Sequence, residues 1–148
     1  MISQSENYTK YTALTLISLC LIGALSTWFS ATVISPELSD MAQLSSSQEI
    51  WLTNGVQLGF VLGALTIAVL NISDIFSLTK LIGLCCTGAA LANVLLIFSN
   101  GGGQIVALRF LTGAALAGVY PPCVKLIATW FKKGRLHKQH RGLWSRSR

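Results

Sequence analysis

The chain has 148 residues, of which 52% are hydrophobic and only 11% charged. Soluble domains carry about 25% charged residues, so the composition excludes that class and points to an integral membrane protein. The formal net charge of +6 is local, because seven of the eleven Lys and Arg follow Phe131; with no nucleic-acid-binding motif around them, they read as a flank beside a lipid bilayer rather than a nucleic-acid surface.

Residues 1–10 are polar and read as a cytoplasmic lead-in. A first apolar span covers residues 11–34, longer than the roughly 7–15 apolar residues of a signal peptide. Its outer half carries Ser26, Thr27, Trp28, Ser30 and Thr32. Hydroxyls of this kind bond back to the preceding turn and are cheap inside a membrane helix. Pro36 is expected to end the helix. Residues 35–49 then form a loop with Glu37, Asp40 and Glu49 but no Lys or Arg, which marks it as external.

A second span covers residues 50–70. Gly55, Gly59 and Gly63 recur every fourth residue, so they share one helix face that a neighbouring backbone can approach closely. Asn54 and Gln57 on the same span require hydrogen-bond partners. Residues 71–79, NISDIFSLT, form a turn holding Asp74, with Lys80 the nearest cation in sequence. A third span covers residues 80–98; it is rich in small residues and holds a single amide, Asn93. The segment SNGGG, residues 99–103, is an uncharged external turn.

The fourth span, residues 104–131, carries more than an anchor requires. Arg109 lies inside it, and a charge well within a bilayer costs on the order of 2.5–3.5 kcal/mol. Ala114 and Gly118 make a small-xxx-small pair for helix packing. Pro121 and Pro122 cannot donate to the carbonyls of Ala117 and Gly118, so the helix is expected to kink there. Trp130 and Phe131, followed by Lys132, Lys133 and Arg135, form an aromatic and basic boundary of cytoplasmic type. Lys125 is close enough to that boundary to snorkel toward it. Each span is long enough for a bilayer core of about 30 Å. The distribution of Lys and Arg predicts four transmembrane helices with both termini cytoplasmic.

Residues 132–148 form a basic cytoplasmic tail. Its His137 and His140 lack the further ligands a metal site needs. Cys20, Cys85, Cys86 and Cys123 all lie in apolar runs and make no CxxC pair, so they read as small apolar residues. No cofactor is expected. The spans contain no His and no paired carboxylates for acid–base work, which argues against an enzyme.

The stretch RFLTGAALAGVYPPCVKLIATWFKKGR, residues 109–135, resembles the fourth transmembrane helix of major facilitator superfamily transporters. The resemblance runs back through SPELS, WLTNGVQLGFVLGAL and NISDIF and covers about residues 14–135. It implies an all-α membrane fold equivalent to the first four helices of one half of such a transporter. It further implies a multi-pass protein of the cell (inner) membrane, engaged in secondary active transport of a small solute whose identity the sequence does not give. By this resemblance Arg109 is the pathway or gating residue. Asp74 matches the acidic position of the family's conformational-switch loop. Ser77, Leu78 and Thr79 depart from that loop's glycine and basic positions, leaving Asp74 and Lys80 as its remnant. Relatives continue into a fifth helix where this sequence turns into LHKQHRGLWSRSR. That departure implies a truncated or frameshifted chain, with the tail out of frame and the protein inactive alone.

Two other readings stand beside this one. A small four-helix exporter acting as an oligomer would need an embedded carboxylate in its first helix, and residues 11–34 contain none. A non-catalytic four-span scaffold, associating through its small-residue faces, is the other.

Overall fold

The computed structural model describes residues 2–129. Among them every regular element is helical: α1 (Ile2–Val33), α2 (Ser35–Ala42), α3 (Ser46–Val69), α4 (Ile72–Ile75), α5 (Leu78–Leu95) and α6 (Gly102–Ala117). A 3-10 turn, Leu96–Phe98, extends α5, and the chain is helical again over 120–129. Four stretches are long and apolar enough to cross a membrane: Tyr11–Val33, Ser46–Val69, Leu78–Phe98 and Gly102–Thr129.

The elements differ from the sequence-based expectation at their ends. The polar lead-in is helical and continuous with the first span. The external loop expected over residues 35–49 is mostly helix. α1 already stops at Val33, and Pro36 sits in the first turn of α2, where a missing N–H costs nothing. Glu37 in that same turn complements the helix dipole. Leu38 of α2 is buried in a cluster with Ala31, Leu52, Leu96 and Ile105, so this short helix caps one end of the bundle. α3 begins several residues before its apolar run, because Ser45 and Gln48 form a capping box: the Gln48 amide donates to the Ser45 hydroxyl and the Ser45 amide to the Gln48 side chain. Within the turn over residues 71–79 lies the single helical turn α4. It is entered through Asn71 at φ 51°, a left-handed conformation that Asn tolerates better than most residues.

α3 and α6 make the most extensive helix pair, with α5 against α6 second; α1 touches α3, α5 and α6 more lightly. The reason is backbone proximity. A Cβ built at Gly59 would collide with the Phe110 carbonyl, one at Gly63 would crowd Ala114, and one at Gly113 would collide with the Val56 carbonyl. A Cβ at Gly55 would meet the Val106 carbonyl at 3.5 Å, an ordinary contact. Side chains at Gly59, Gly63 and Gly113 would hold the two helices apart.

The pair expected at Ala114 and Gly118 does not serve one neighbour. Ala114 lies against Gly59 and Gly63 of α3, whereas Gly118 is covered by the Cys85 side chain of α5. The helix break explains the divergence. α6 ends at Ala117, and the amides of Gly118 and Val119 turn back to the carbonyls of Ala115 and Leu116, both at 3.0 Å. Helix resumes at residue 120, placing Pro121 and Pro122 in its first turn. The interruption therefore stands at the carbonyls those prolines leave without donors. Trp130, Phe131 and the basic tail lie outside the described residues.

Candidate functional site

Arg109 is completely buried. It sits in the second turn of α6, about 10 Å along the helix from Gly102 at 1.5 Å per residue, and is enclosed by the bundle. Its guanidinium makes a fork across two helices. Nε donates to the Leu52 carbonyl of α3 at 3.1 Å, Nη1 to the Thr27 carbonyl of α1 at 3.4 Å, and Nη2 to the Trp28 carbonyl at 2.7 Å. The planar fork of arginine suits three acceptors in fixed positions; the compact ammonium of lysine does not. All three partners are neutral. Among the described residues no carboxylate forms an ion pair with it.

A polar chain runs from this fork to α5. The Ser30 hydroxyl donates to the same Thr27 carbonyl at 3.0 Å, and the Asn93 Nδ2 donates to Ser30 Oγ at 2.8 Å. Asn93 Oδ1 is buried with no hydrogen-bond partner among the described residues. The Ser26 and Thr27 hydroxyls likewise bond back along α1, to the Ile22 and Ala24 carbonyls. Asn54 and Gln57 of α3 are exposed and do not join the network.

Below the fork lies an apolar cleft of about 200 Å³. Trp28, Phe29, Phe60 and Tyr120 line it with Leu25 and Leu116. Trp28 and Phe60 meet edge to face, with centroids 5.3 Å apart and planes at 70°, the arrangement aromatic quadrupoles favour. Trp28 thus ties the cleft to the fork, since its ring forms one wall and its carbonyl accepts from Arg109.

The second charged site is at the other end of the span. Asp74 of α4 pairs with the Lys125 ammonium, both side chains being about half exposed. The Lys125 hydrogen bond, then its charge, holds the Asp74 carboxyl below its ordinary value. Lys80 is the nearest cation to Asp74 in sequence; the cation that pairs with it in the fold is Lys125, 51 residues away. Lys80 is exposed. In the sequence Lys125 reads as a cation that snorkels toward the boundary; its place beside the turn holding Asp74 follows from helix packing.

Among the described residues no group of three or more His, Cys, Asp or Glu could hold a metal ion. No curated protein and no solved structure matches the chain. A family model described as Major Facilitator Superfamily matches residues 16–143. That match covers most of the chain, including three of the four apolar helices whole and most of the first, and makes the protein a multi-pass membrane protein of transporter type: the chain belongs to the Major Facilitator Superfamily.

Proposed function

We propose that the four spans form part of one wall of a secondary active transporter for a small solute, with Arg109 as its gating or pathway residue. The buried guanidinium carries this reading. An uncompensated charge at membrane depth is costly and is ordinarily retained for function. Its bonds join α1, α3 and α6, so a solute or proton that competes for the fork would alter the packing of α1, the most lightly held of the long helices. The aromatic cleft beside it offers an apolar surface for the solute. At the inner end, the Asp74–Lys125 pair would act as the remnant of the conformational switch, latching the turn between the second and third spans to the fourth.

The Lys and Arg distribution favours cytoplasmic termini and the cell inner membrane. Alternating access requires two repeats moving around a shared midplane site, and four spans supply part of one. The chain alone is therefore expected to be inactive. Purified protein in liposomes, given a solute panel and an imposed proton or sodium gradient, tests this. No saturable uptake is the expected result. Saturable, gradient-dependent uptake lost in Arg109→Ala would overturn the inactivity and make the chain a self-sufficient transporter.

A further inference from the structure

The cleft beside the fork is walled by aromatic rings from three helical segments. Trp28 and Phe29 come from α1, Phe60 from α3 and Tyr120 from the segment 120–129, and aliphatic side chains complete the lining. Phe29 and Tyr120 each leave more than half of their surface uncovered. The cleft volume is about 200 Å³, larger than the roughly 150 Å³ of a protein cavity that admits benzene. A molecule of one or two rings fits that space. Aromatic walls favour such a guest over an acyl chain, because ring edges pair with ring faces.

Charge narrows the class further. No side chain that lines the cleft is ionised. Arg109 presents no donor to it, being completely buried with Nε, Nη1 and Nη2 committed to the Leu52, Thr27 and Trp28 carbonyls. An anion would feel that guanidinium at a distance, but attraction at a distance does not replace the hydrogen bonds it loses with its water. A cation would gain from the ring faces. It would also be repelled by Arg109, whose charge no carboxylate pairs with among the described residues, and such repulsion is strong where water is excluded. Resting on the reading of this cleft as the solute's surface, we propose that the solute is a neutral aromatic molecule of one or two rings. The Tyr120 hydroxyl and the Trp28 indole N–H are the polar atoms of the lining side chains, enough for one polar substituent. Trp28 lines the cleft with its ring and holds the fork with its carbonyl, so occupancy of the cleft reaches Arg109 through that residue.

The test uses the full chain in phosphatidylcholine nanodiscs, with fluorine NMR of the ligand as the readout and empty nanodiscs as the reference. Fluoroindole is the neutral probe, and ring-fluorinated indoleacetate and tryptamine are its anionic and cationic counterparts. Fluoroindole should bind saturably and be displaced by unlabelled indole. Both ions should bind more weakly by about tenfold or more, the cation weakest. Ala24→Trp fills the cleft and should abolish the saturable signal, whereas Leu58→Ala, in a separate groove between α3 and α6, should keep it. The comparison of the three probes on the wild-type chain needs no variant to fold. Equal or tighter binding of either ion would overturn the assigned class and leave the cleft as the solute's surface. A neutral-probe signal no greater than partition into empty nanodiscs, the result expected if an acyl chain fills the cleft, would overturn both. A saturable signal that survives Ala24→Trp would also overturn the proposal, by placing the probe elsewhere.

Discussion

The fourth span carries two cations, and the two ends of the bundle treat them oppositely. Arg109 is sealed between helices and satisfied by three neutral carbonyls. Lys125 sits about half exposed at the opposite end and meets a carboxylate. Exposed pairs gain little, because water and salt screen them. A buried arginine is a larger balance. Its insertion costs on the order of 2.5–3.5 kcal/mol, and hydrogen bonds involving a charged group return roughly 1.5–3 kcal/mol each. Three such bonds more than cover that cost, and each acceptor that moves away removes roughly 1.5–3 kcal/mol of the return. Arg109 is therefore stable by position, and Lys125 by access to water.

The strongest way to break the comparison is to move an acceptor. Leu52 is on α3, and α3 is set against α6 by the glycine seam. Gly59→Leu forces the two backbones apart at Phe110 and should shift Leu52 out of reach of the fork. The loss should lie at or above the roughly 1–3 kcal/mol typical of overpacking. Gly23→Leu, where an added Cβ meets nothing within 4 Å, is the paired control and should leave the thermal midpoint nearly unchanged. Equal midpoints for the two variants, measured in one detergent, would remove the seam from the account.

The next variant separates charge from shape. Arg109→Lys keeps the charge but reaches the three carbonyls with one nitrogen, leaving a buried cation short of partners. Arg109→Met removes both the charge and its cost at similar volume, which is often neutral for buried ions. Arg109→Lys should therefore be the less stable by about 1–3 kcal/mol, read as the difference in unfolding free energy. The reverse order would mean that positive charge itself, rather than the fork, is what the site holds.

The legible parts of this molecule were those encoded in side-chain pattern. Four apolar runs and the glycines at 55, 59 and 63 are visible because membrane solvation and close helix approach each select residue types directly. The α2 helix was hidden because its eight residues are polar enough to read as a loop; only Leu38 is buried. Arg109 stood out as a charge in an apolar run, but its partners did not, since Leu52, Thr27 and Trp28 contribute carbonyls and any residue has one. The Asn93–Ser30 bond spans 63 positions, and the Asp74–Lys125 pair spans 51. Such contacts follow from which helices neighbour one another, and sequence spacing carries little of that. Lys80 is near Asp74 along the chain, and Lys125 is near it in space.

A smaller effect should come from the exposed pair. Asp74→Asn and Lys125→Gln each remove one partner and should lower stability slightly at low salt. The differences should shrink as salt is raised toward about 1 M, where the screening length falls from about 10 Å to about 3 Å. Reversing the pair, Asp74→Lys with Lys125→Asp, should recover the wild-type midpoint. Effects on Arg109 variants should be far less salt-dependent, since no solvent reaches that group. An equal salt response at both sites would erase the contrast between them.

The smallest effect is the pH dependence of the same pair, and its sign is fixed. Lys125 keeps the folded-state value of Asp74 below its ordinary one; in the unfolded chain it titrates near about 4. A carboxylate depressed in this way adds stability above the unfolded value. The contribution is lost as pH falls through the lower folded value, where the carboxyl finally takes up its proton. Stability of the wild-type chain should therefore converge on that of Asp74→Asn as pH is taken from about 6 to below about 3. Other carboxylates also titrate in that range, so the quantity to follow is the difference between the two proteins in parallel melts, which cancels them. Because the pair is exposed, the difference should be modest at its largest and should shrink with acid. A gap that widens on acidification would place Asp74 in an environment that favours its protonated form, and Lys125 would then be a neighbour without being its partner.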